Sequence, residues 1–211
     1  MKEKYFERII NNLQFNFIPI YSLKDNNILG YKIIKDFSKL GFNDKDYMYQ
    51  LAYEVGIFKE FTLEILKKSF ENILFHSLSS NFLFYTLRLN LIDDIKEFLE
   101  LLDRTITFSN LCKNKIIFDI QGINDWKEFY KKYSSYFKYN IILKEGKTST
   151  LNINNVIHSK AIFVEPRTLD TLIYLKACSN FDTPFIFNLK KEKEPLLSQI
   201  KALGIDYYYN Y

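Results

Sequence analysis

An α/β barrel of the TIM-like (β/α)8 kind, opened by an antiparallel hairpin, is the fold this sequence predicts. Three observations carry it. Two β-type runs, Phe15–Tyr21 and Ile28–Phe37, are joined by the turn Lys24-Asp25-Asn26-Asn27, and a short Asp/Asn turn between such runs makes an antiparallel hairpin. Six further short apolar runs follow in alternation with helical stretches, the pattern of parallel strands with crossover helices. Eight strands in 211 residues suit a small barrel, and no Gly-rich phosphate loop follows the first strand to announce a doubly wound open sheet.

The elements can be justified in order. The opening MKEKYFERIINNLQ is a mixed-charge amphipathic helix, not a signal peptide. After the hairpin, Asp46–Glu54 reads as a helix stopped by Gly56, and Phe58–Phe75 as a second helix. The six later strands begin at Phe82, Lys115, Tyr139, Ala161, Pro184 and Asp206. Between them lie helices over Asp93–Arg104, Asn124–Phe137, Arg167–Cys178 and Lys193–Gly204, while only a short link around Leu151–His158 precedes the sixth strand. Asp93-Asp94 reads as a helix N-cap. Trp126 is expected to pack inside its helix, and Tyr207, Tyr208 and Tyr209 to alternate between core and surface as strand geometry requires. With no internal repeat and no Pro/Gly/Ser-rich linker, residues 1–211 are expected to form a single domain.

Composition excludes several classes of function. The formal charge of +4 is small and dispersed over isolated pairs such as Lys67-Lys68, Lys131-Lys132 and Lys190-Lys191, so no nucleic-acid partner is expected. No apolar run reaches the roughly 18 residues of a membrane helix. Cys112 and Cys178 lie far apart, without Cys-x-x-Cys spacing, which fits a reduced, cytoplasmic setting. The two histidines, His76 and His158, form no metal-binding pair. The aromatic content of 18% accompanies abundant Ile, Lys and Asn, the signature of A+T-rich coding sequence, and is not read as a binding surface.

One residue disturbs this pattern. Lys32 sits in the middle of ILGYKIIKDF, a run otherwise fit for a pleated, covered surface. A lysine there has to snorkel, pair with a carboxylate or replace something else.

Motifs along nearly the whole chain supply the context. Phe17-Ile18-Pro19-Ile20-Tyr21-Ser22-Leu23, Leu51-Ala52-Tyr53-Glu54-Val55-Gly56-Ile57 and Leu203-Gly204-Ile205-Asp206-Tyr207 resemble, in order and spacing, the Y-Q-P-I-V-D-L, L-A-E-x-x-G-L and L-G-x-D-Y segments of the EAL domain, the cyclic-di-GMP phosphodiesterase fold. Gly30-Tyr31-Lys32-Ile33-Ile34 falls where that family writes G-x-E-A-L, so the resemblance puts Lys32 in place of the signature glutamate. Phe118-Asp119-Ile120-Gln121-Gly122 takes the place of L-E-I-T-E: Asp119 keeps the first acid and Gly122 loses the second. The family's asparagine falls at Thr86 or Asn90, its paired aspartates at Lys144-Glu145, its K-I-D strand at Phe163-Val164-Glu165, and its late glutamates near Asn188 and Lys191. Its closing Q-G-Y becomes Tyr209-Asn210-Tyr211. The substrate-binding arginine falls at Asp36 and the opening glutamine at Ile18.

The resemblance thus implies a degenerate, C-terminally short EAL-like barrel. Hydrolysis in that family uses divalent cations held by oxygen ligands, mostly carboxylates, at the barrel mouth. An ammonium at a ligand position removes a donor and repels the metal. The former active-site positions are therefore Lys32, Thr86, Asp119, Gly122, Lys144, Glu145, Glu165, Asn188, Lys191 and Tyr209, with no catalytic residue, metal or cofactor expected. The implied role is a regulatory or protein-interaction module in cyclic-di-GMP signalling of a bacterial cytoplasm, with little or no cyclic-di-GMP binding. The alternative is a metal-independent receptor for cyclic-di-GMP or another nucleotide or anion, using Lys32, Asp119, Lys144 and Glu165. Because the chain stops at Tyr211, where the family normally continues, either a partner covers that end or the last barrel seam stays open; both favour association, a homodimer included.

Overall fold

The computed structural model describes residues 2–41, 45–123, 125–144, 159–164, 176, 183–189 and 195–211. Eight strands close a barrel in sequence order: β1 (Gln14–Ser22), β2 (Ile28–Asp36), β3 (Phe82–Arg88), β4 (Ile116–Gln121), β5 (Asn140–Lys144), β6 (Ala161–Val164), β7 (Phe185–Asn188) and β8 (Tyr207–Tyr209). The described helices are α1 (Lys2–Asn12), α2 (Lys45–Glu54), α3 (Phe58–Phe75), α4 (Ile95–Phe108), α5 (Trp126–Tyr133) and α6 (Pro195–Ala202). β1 runs antiparallel to both β2 and β8, and every other neighbouring pair is parallel. The predicted fold class is the one observed.

The hairpin forms because Ser22, Asp25 and Asn27 bond one another within the turn: the Ser22 hydroxyl accepts from the Lys24 amide at 3.2 Å, and Asp25 accepts from Asn27. Its second strand packs against β3 only because residue 30 is glycine. A Cβ there would lie 2.2 Å from the Phe82 carbonyl oxygen. Strand periodicity then sorts side chains into two cores. Ile20, Phe84, Ile117, Ile142, Phe163, Ile186 and Tyr209 fill the barrel, as expected for a packed interior rather than a pore. Ile33, Leu83, Tyr85, Leu87, Phe118 and Ile141 point outward and meet the helices. On α3, Phe61, Ile65, Leu66, Phe70 and Ile73 are buried on that face, and each fully buried side chain of this kind contributes about 1.5–3 kcal/mol.

Several local expectations hold. The Asp94 carboxylate accepts from the Glu97 amide at 2.9 Å and caps α4. Trp126 is buried, packed edge-on against Phe129. Tyr209 faces inward, whereas Tyr208 faces outward and stacks on Tyr21. Two expectations need correction. The last seam is not open: β8 pairs with β7 and also with β1, Tyr21 opposite Tyr208 and Ser22 opposite Tyr207, because the antiparallel first strand can accept both neighbours. An open seam therefore gives no reason for association. The helix expected over Asn124–Phe137 is shorter, ending at Tyr133, where Ser134 caps it and the Phe137 amide turns back to the Tyr133 carbonyl. The helix expected over Arg167–Cys178 lies outside the described residues apart from Lys176, as do the Leu151–His158 link and Cys178.

Among the described residues, no helix is long and apolar enough to cross a membrane.

Candidate functional site

The inward parity that fills the barrel with Phe84, Ile117 and Ile142 continues toward the C-terminal ends of the strands, where polar side chains take over. Two residues beyond these come Thr86 on β3, Asp119 on β4 and Lys144 on β5; Asn188 and Tyr209 close the ring from β7 and β8. Register brings them level: Thr86 lies opposite Asp119, Asn188 opposite Tyr209, and Lys32 on β2 opposite Ile18 of β1. Together they line a cleft of about 320 Å³, whose lining also includes Lys35, Tyr49, Arg88, Gln121 and Tyr211.

Lys32 is 9% exposed. Its Nζ donates to the Tyr209 hydroxyl at 2.8 Å, and lies 4.4 Å from the Tyr209 ring centre and 4.6 Å from that of Phe163. The expected inward ammonium is thus found, held by a phenol oxygen and two aromatic faces. Cation–π attraction of this kind strengthens when the cation is desolvated. Asp119 is 7% exposed and its Oδ2 accepts from the Thr86 hydroxyl at 3.1 Å. Burial pushes its carboxyl above the ordinary aspartate range, against the opposing pull of Lys32, Lys144, Thr86 and Lys35. Three lysines therefore act on one buried acid, which still holds its proton more tightly than an aspartate in water.

The two residues left open by spacing lie in different places. Thr86 belongs to the cluster, while Asn90 lies in the turn after β3, packed against Gly122. Gly122 stands outside the ring, just past β4. Its φ is +93°, and a Cβ there would lie 2.5 Å from the Asn90 Cβ and 2.6 Å from the Asn90 amide nitrogen. An acidic side chain at this position has no room. Glu145, Glu165 and Lys191 lie outside the described residues.

Two cations of the cleft escaped the sequence reading. Arg88 follows Thr86 by two residues, so strand parity already aims it at the mouth. It pairs with Asp46 in the first turn of α2 and lies 4.6 Å over the Tyr49 ring. Lys35 sits at the end of β2, where its Nζ donates to the Thr86 carbonyl at 2.8 Å and lies 4.1 Å over the Tyr85 ring. No sequence rule separates it from a solvated edge lysine.

A divalent cation would find few donors among the described lining residues. Among the described lining residues Asp119 is the one carboxylate, its neighbours are ammonium groups, and no group of three His, Cys, Asp or Glu side chains could hold a metal. Mg²⁺ takes six oxygen donors, of which one or two are usually protein carboxylates.

No family model matches the chain, and no curated protein matches it in sequence. Solved structures match it in fold. The MucR phosphodiesterase in complex with c-di-GMP superposes with a TM-score of 0.74 at 10% identity, over 94% of this chain and 93% of that one. The FimX EAL domain of Xanthomonas citri, also with c-di-GMP, gives a TM-score of 0.69 at 9% identity, over 99% and 93%. The EAL enzyme Bd1971 in its cGMP-bound form gives 0.65 at 11% identity; this chain is covered completely and spans 64% of that one. The fold of this chain is accordingly the EAL barrel.

Proposed function

We propose that this chain is a non-hydrolysing EAL-type barrel, a regulatory module that works by binding a protein partner and not by turning over cyclic-di-GMP. The observation that carries this reading is Lys32. Its buried ammonium, bonded to Tyr209, lies in the same cleft as Asp119, so the cation that neutralises the acid is part of the chain. Charge neutralisation and metal binding then compete for the same space. Burial also holds the Asp119 carboxyl above its ordinary value, against the pull of Lys32. Restoring the second acid is blocked by the backbone at Gly122.

Two positions beside the cleft support weak cyclic-di-GMP binding. Ile18 turns an apolar side chain toward the barrel interior. At Asp36, the end of β2, the Ser38 hydroxyl and amide bond the carboxylate and hold it below its ordinary value, so an anion stands where the family resemblance puts a phosphate-binding arginine. The test is a phosphodiesterase assay with Mg²⁺ and Mn²⁺, together with calorimetry against cyclic-di-GMP. No turnover above buffer and at most weak binding are expected. Turnover that is lost in Asp119→Asn would overturn the reading, and a dissociation constant in the low micromolar range or tighter would replace it with that of a dinucleotide receptor.

A further inference from the structure

Four of the large apolar side chains exposed among the described residues are tyrosines, Tyr5, Tyr47, Tyr53 and Tyr211, which keep a hydroxyl for water. The other four, Ile28, Leu74, Phe75 and Phe108, offer water nothing, and all of them lie at one end of the barrel. This is the end where the parallel strands begin, opposite the cleft. Ile28 opens β2, while Leu74 with Phe75 finishes α3 and Phe108 finishes α4, just ahead of β3 and β4. Phe75 is 82% exposed and Phe108 84%, whereas no other large apolar side chain described passes 56%. Single surface hydrophobes are ordinary. A set confined to one end marks a contact with another surface.

The two phenylalanines share one face. α3 and α4 pack side by side. Lys59 in the first turn of α3 reaches Glu97 in the first turn of α4 at 2.8 Å. Past the far ends of the two helices, the Lys115 ammonium, after α4, donates to the Ser80 carbonyl, after α3, at 2.8 Å. The described connections at this end carry the cations Lys24, Lys113, Lys115, Lys138 and Lys160 against Asp25 and Asp206. Both acids are engaged, Asp25 by Asn27 within the hairpin turn and Asp206 by the Phe185 amide, and Lys113 is offset by Asp103. The balance stays positive. A second copy docked through a two-fold axis would set these lysines against their own images, so charge argues against self-association. Apolar tips flanked by lysines suit the headgroup layer of an anionic bilayer, where rings enter the acyl boundary and ammonium groups meet lipid phosphates.

We propose that this end of the barrel docks on an anionic lipid surface, with Phe75 and Phe108 entering the headgroup layer and the cleft turned away from the membrane. Binding of this kind needs no spanning helix. It goes beyond the partner-binding reading and does not depend on it, since the cleft and α2 stay open to a protein while the chain sits on lipid.

The experiment is sedimentation of the full chain with vesicles of phosphatidylcholine alone and of an equal mixture with phosphatidylglycerol. Binding to the mixed vesicles is expected, at least tenfold weaker on phosphatidylcholine and weakened by salt. Phe75→Ser and Phe108→Ser are each expected to lower the partition roughly tenfold, at the melting temperature of the parent, because neither ring is buried. Lys24→Gln and Lys138→Gln are each expected to lower it about fivefold. Tyr53→Ser, beside Phe58 and Asp94 at the other end, should leave it unchanged. In Phe75→Trp, emission beyond that of the buried Trp126 should shift to the blue on mixed vesicles, which reports insertion without any loss of binding. The proposal is overturned if the parent fails to sediment with mixed vesicles at low salt, if it binds phosphatidylcholine equally, or if both serine variants bind like the parent. It is overturned as well if the new tryptophan keeps its emission. Self-association that is lost in Phe108→Ser, without vesicle binding, would give this face to a second copy and overturn it too. None of these outcomes touches the non-hydrolytic reading, which falls only to metal-dependent turnover in the separate assay.

Discussion

Replacing Lys32 by methionine, and separately by glutamate, tests the idea of a built-in counter-ion. Methionine keeps the stem and removes the charge. Asp119, 7% exposed, then loses the cation that acts on it most strongly. Removing one partner of a fully buried pair costs about 3–5 kcal/mol. The acid has an escape, because it can take up a proton. At pH 7 that escape costs about 1.4 kcal/mol for each pH unit above the folded value, which is already raised, so the penalty is capped below about 4 kcal/mol. Thr86 and two other lysines still act on Asp119, so the expected loss is about 2–4 kcal/mol. For a chain of this size that is a fall in melting temperature of roughly 5–15 °C. The pH dependence follows from the direction of the shift. A folded acid whose value lies above its unfolded one binds more protons when native, so stability falls as pH rises between the two values and is level above them. Removing Lys32 lifts the folded value further. The loss in Lys32→Met should thus be greatest near pH 7 and shrink to roughly 1.5 kcal/mol at pH 5, where protonation is cheaper. Lys32→Glu adds a second carboxylate and should melt lower still at pH 7, yet gain a rise in melting temperature with Mn²⁺ that the parent lacks. It should not hydrolyse cyclic-di-GMP. Thermal denaturation at both pH values, with and without Mn²⁺, reads all of this. If both variants melt like the parent and ignore the metal, Lys32 is no counter-ion and the reasoning fails.

Other expectations are more local. Gly122→Ala should cost about 2–4 kcal/mol, from the positive φ and the collision with Asn90; a melting temperature within a degree or two of the parent would contradict the described backbone. Asp94→Ala, which removes the cap on α4, should cost about 1 kcal/mol in denaturant unfolding, and Asp94→Asn much less. At Asp103 burial pushes the carboxyl up, but the Lys113 ammonium and the Tyr139 hydroxyl outweigh it and hold it below its ordinary value. Its contribution is therefore complete near neutrality and is lost as pH falls through the folded value. Because the side chain is 43% exposed, Asp103→Asn should cost less than about 1 kcal/mol at pH 7, and the difference should vanish in acid melts.

The strands were legible because each carries its own pattern. The apolar runs at Phe82, Lys115, Tyr139, Ala161 and Pro184 became β3 to β7 within a residue or two, and the alternation of strand with helix implied their parallel order. The barrel was legible because the hairpin and the alternation of strand with helix survive where identity to the solved structures is near 10%. Lys32 was legible as an anomaly, a cation in a covered strand, and period-two geometry turned it inward toward Asp119. Closure of the last seam was not legible, since β8 is three residues long and its pairing with β1 depends on chain brought together from opposite ends. That Thr86 lines the cleft while Asn90 does not also lay beyond spacing, because it depends on where β3 ends and on the register with Asp119. Gly122 read as a lost acid, and only the packed backbone of Asn90 reveals that no side chain fits there.

What the sequence by itself determined is the order of elements, the inward parity of each strand and the types of side chain each would bring to the barrel mouth, because these follow from local periodicity. The charge of the cleft is different. That Arg88 and Lys35 join Lys32 and Lys144 in one cleft, that aromatic rings lie against Lys32, Lys35 and Arg88, and that burial raises the Asp119 carboxyl above its ordinary value were decided only by tertiary structure, since electrostatic energy depends on distance and desolvation, which no spacing along a chain records.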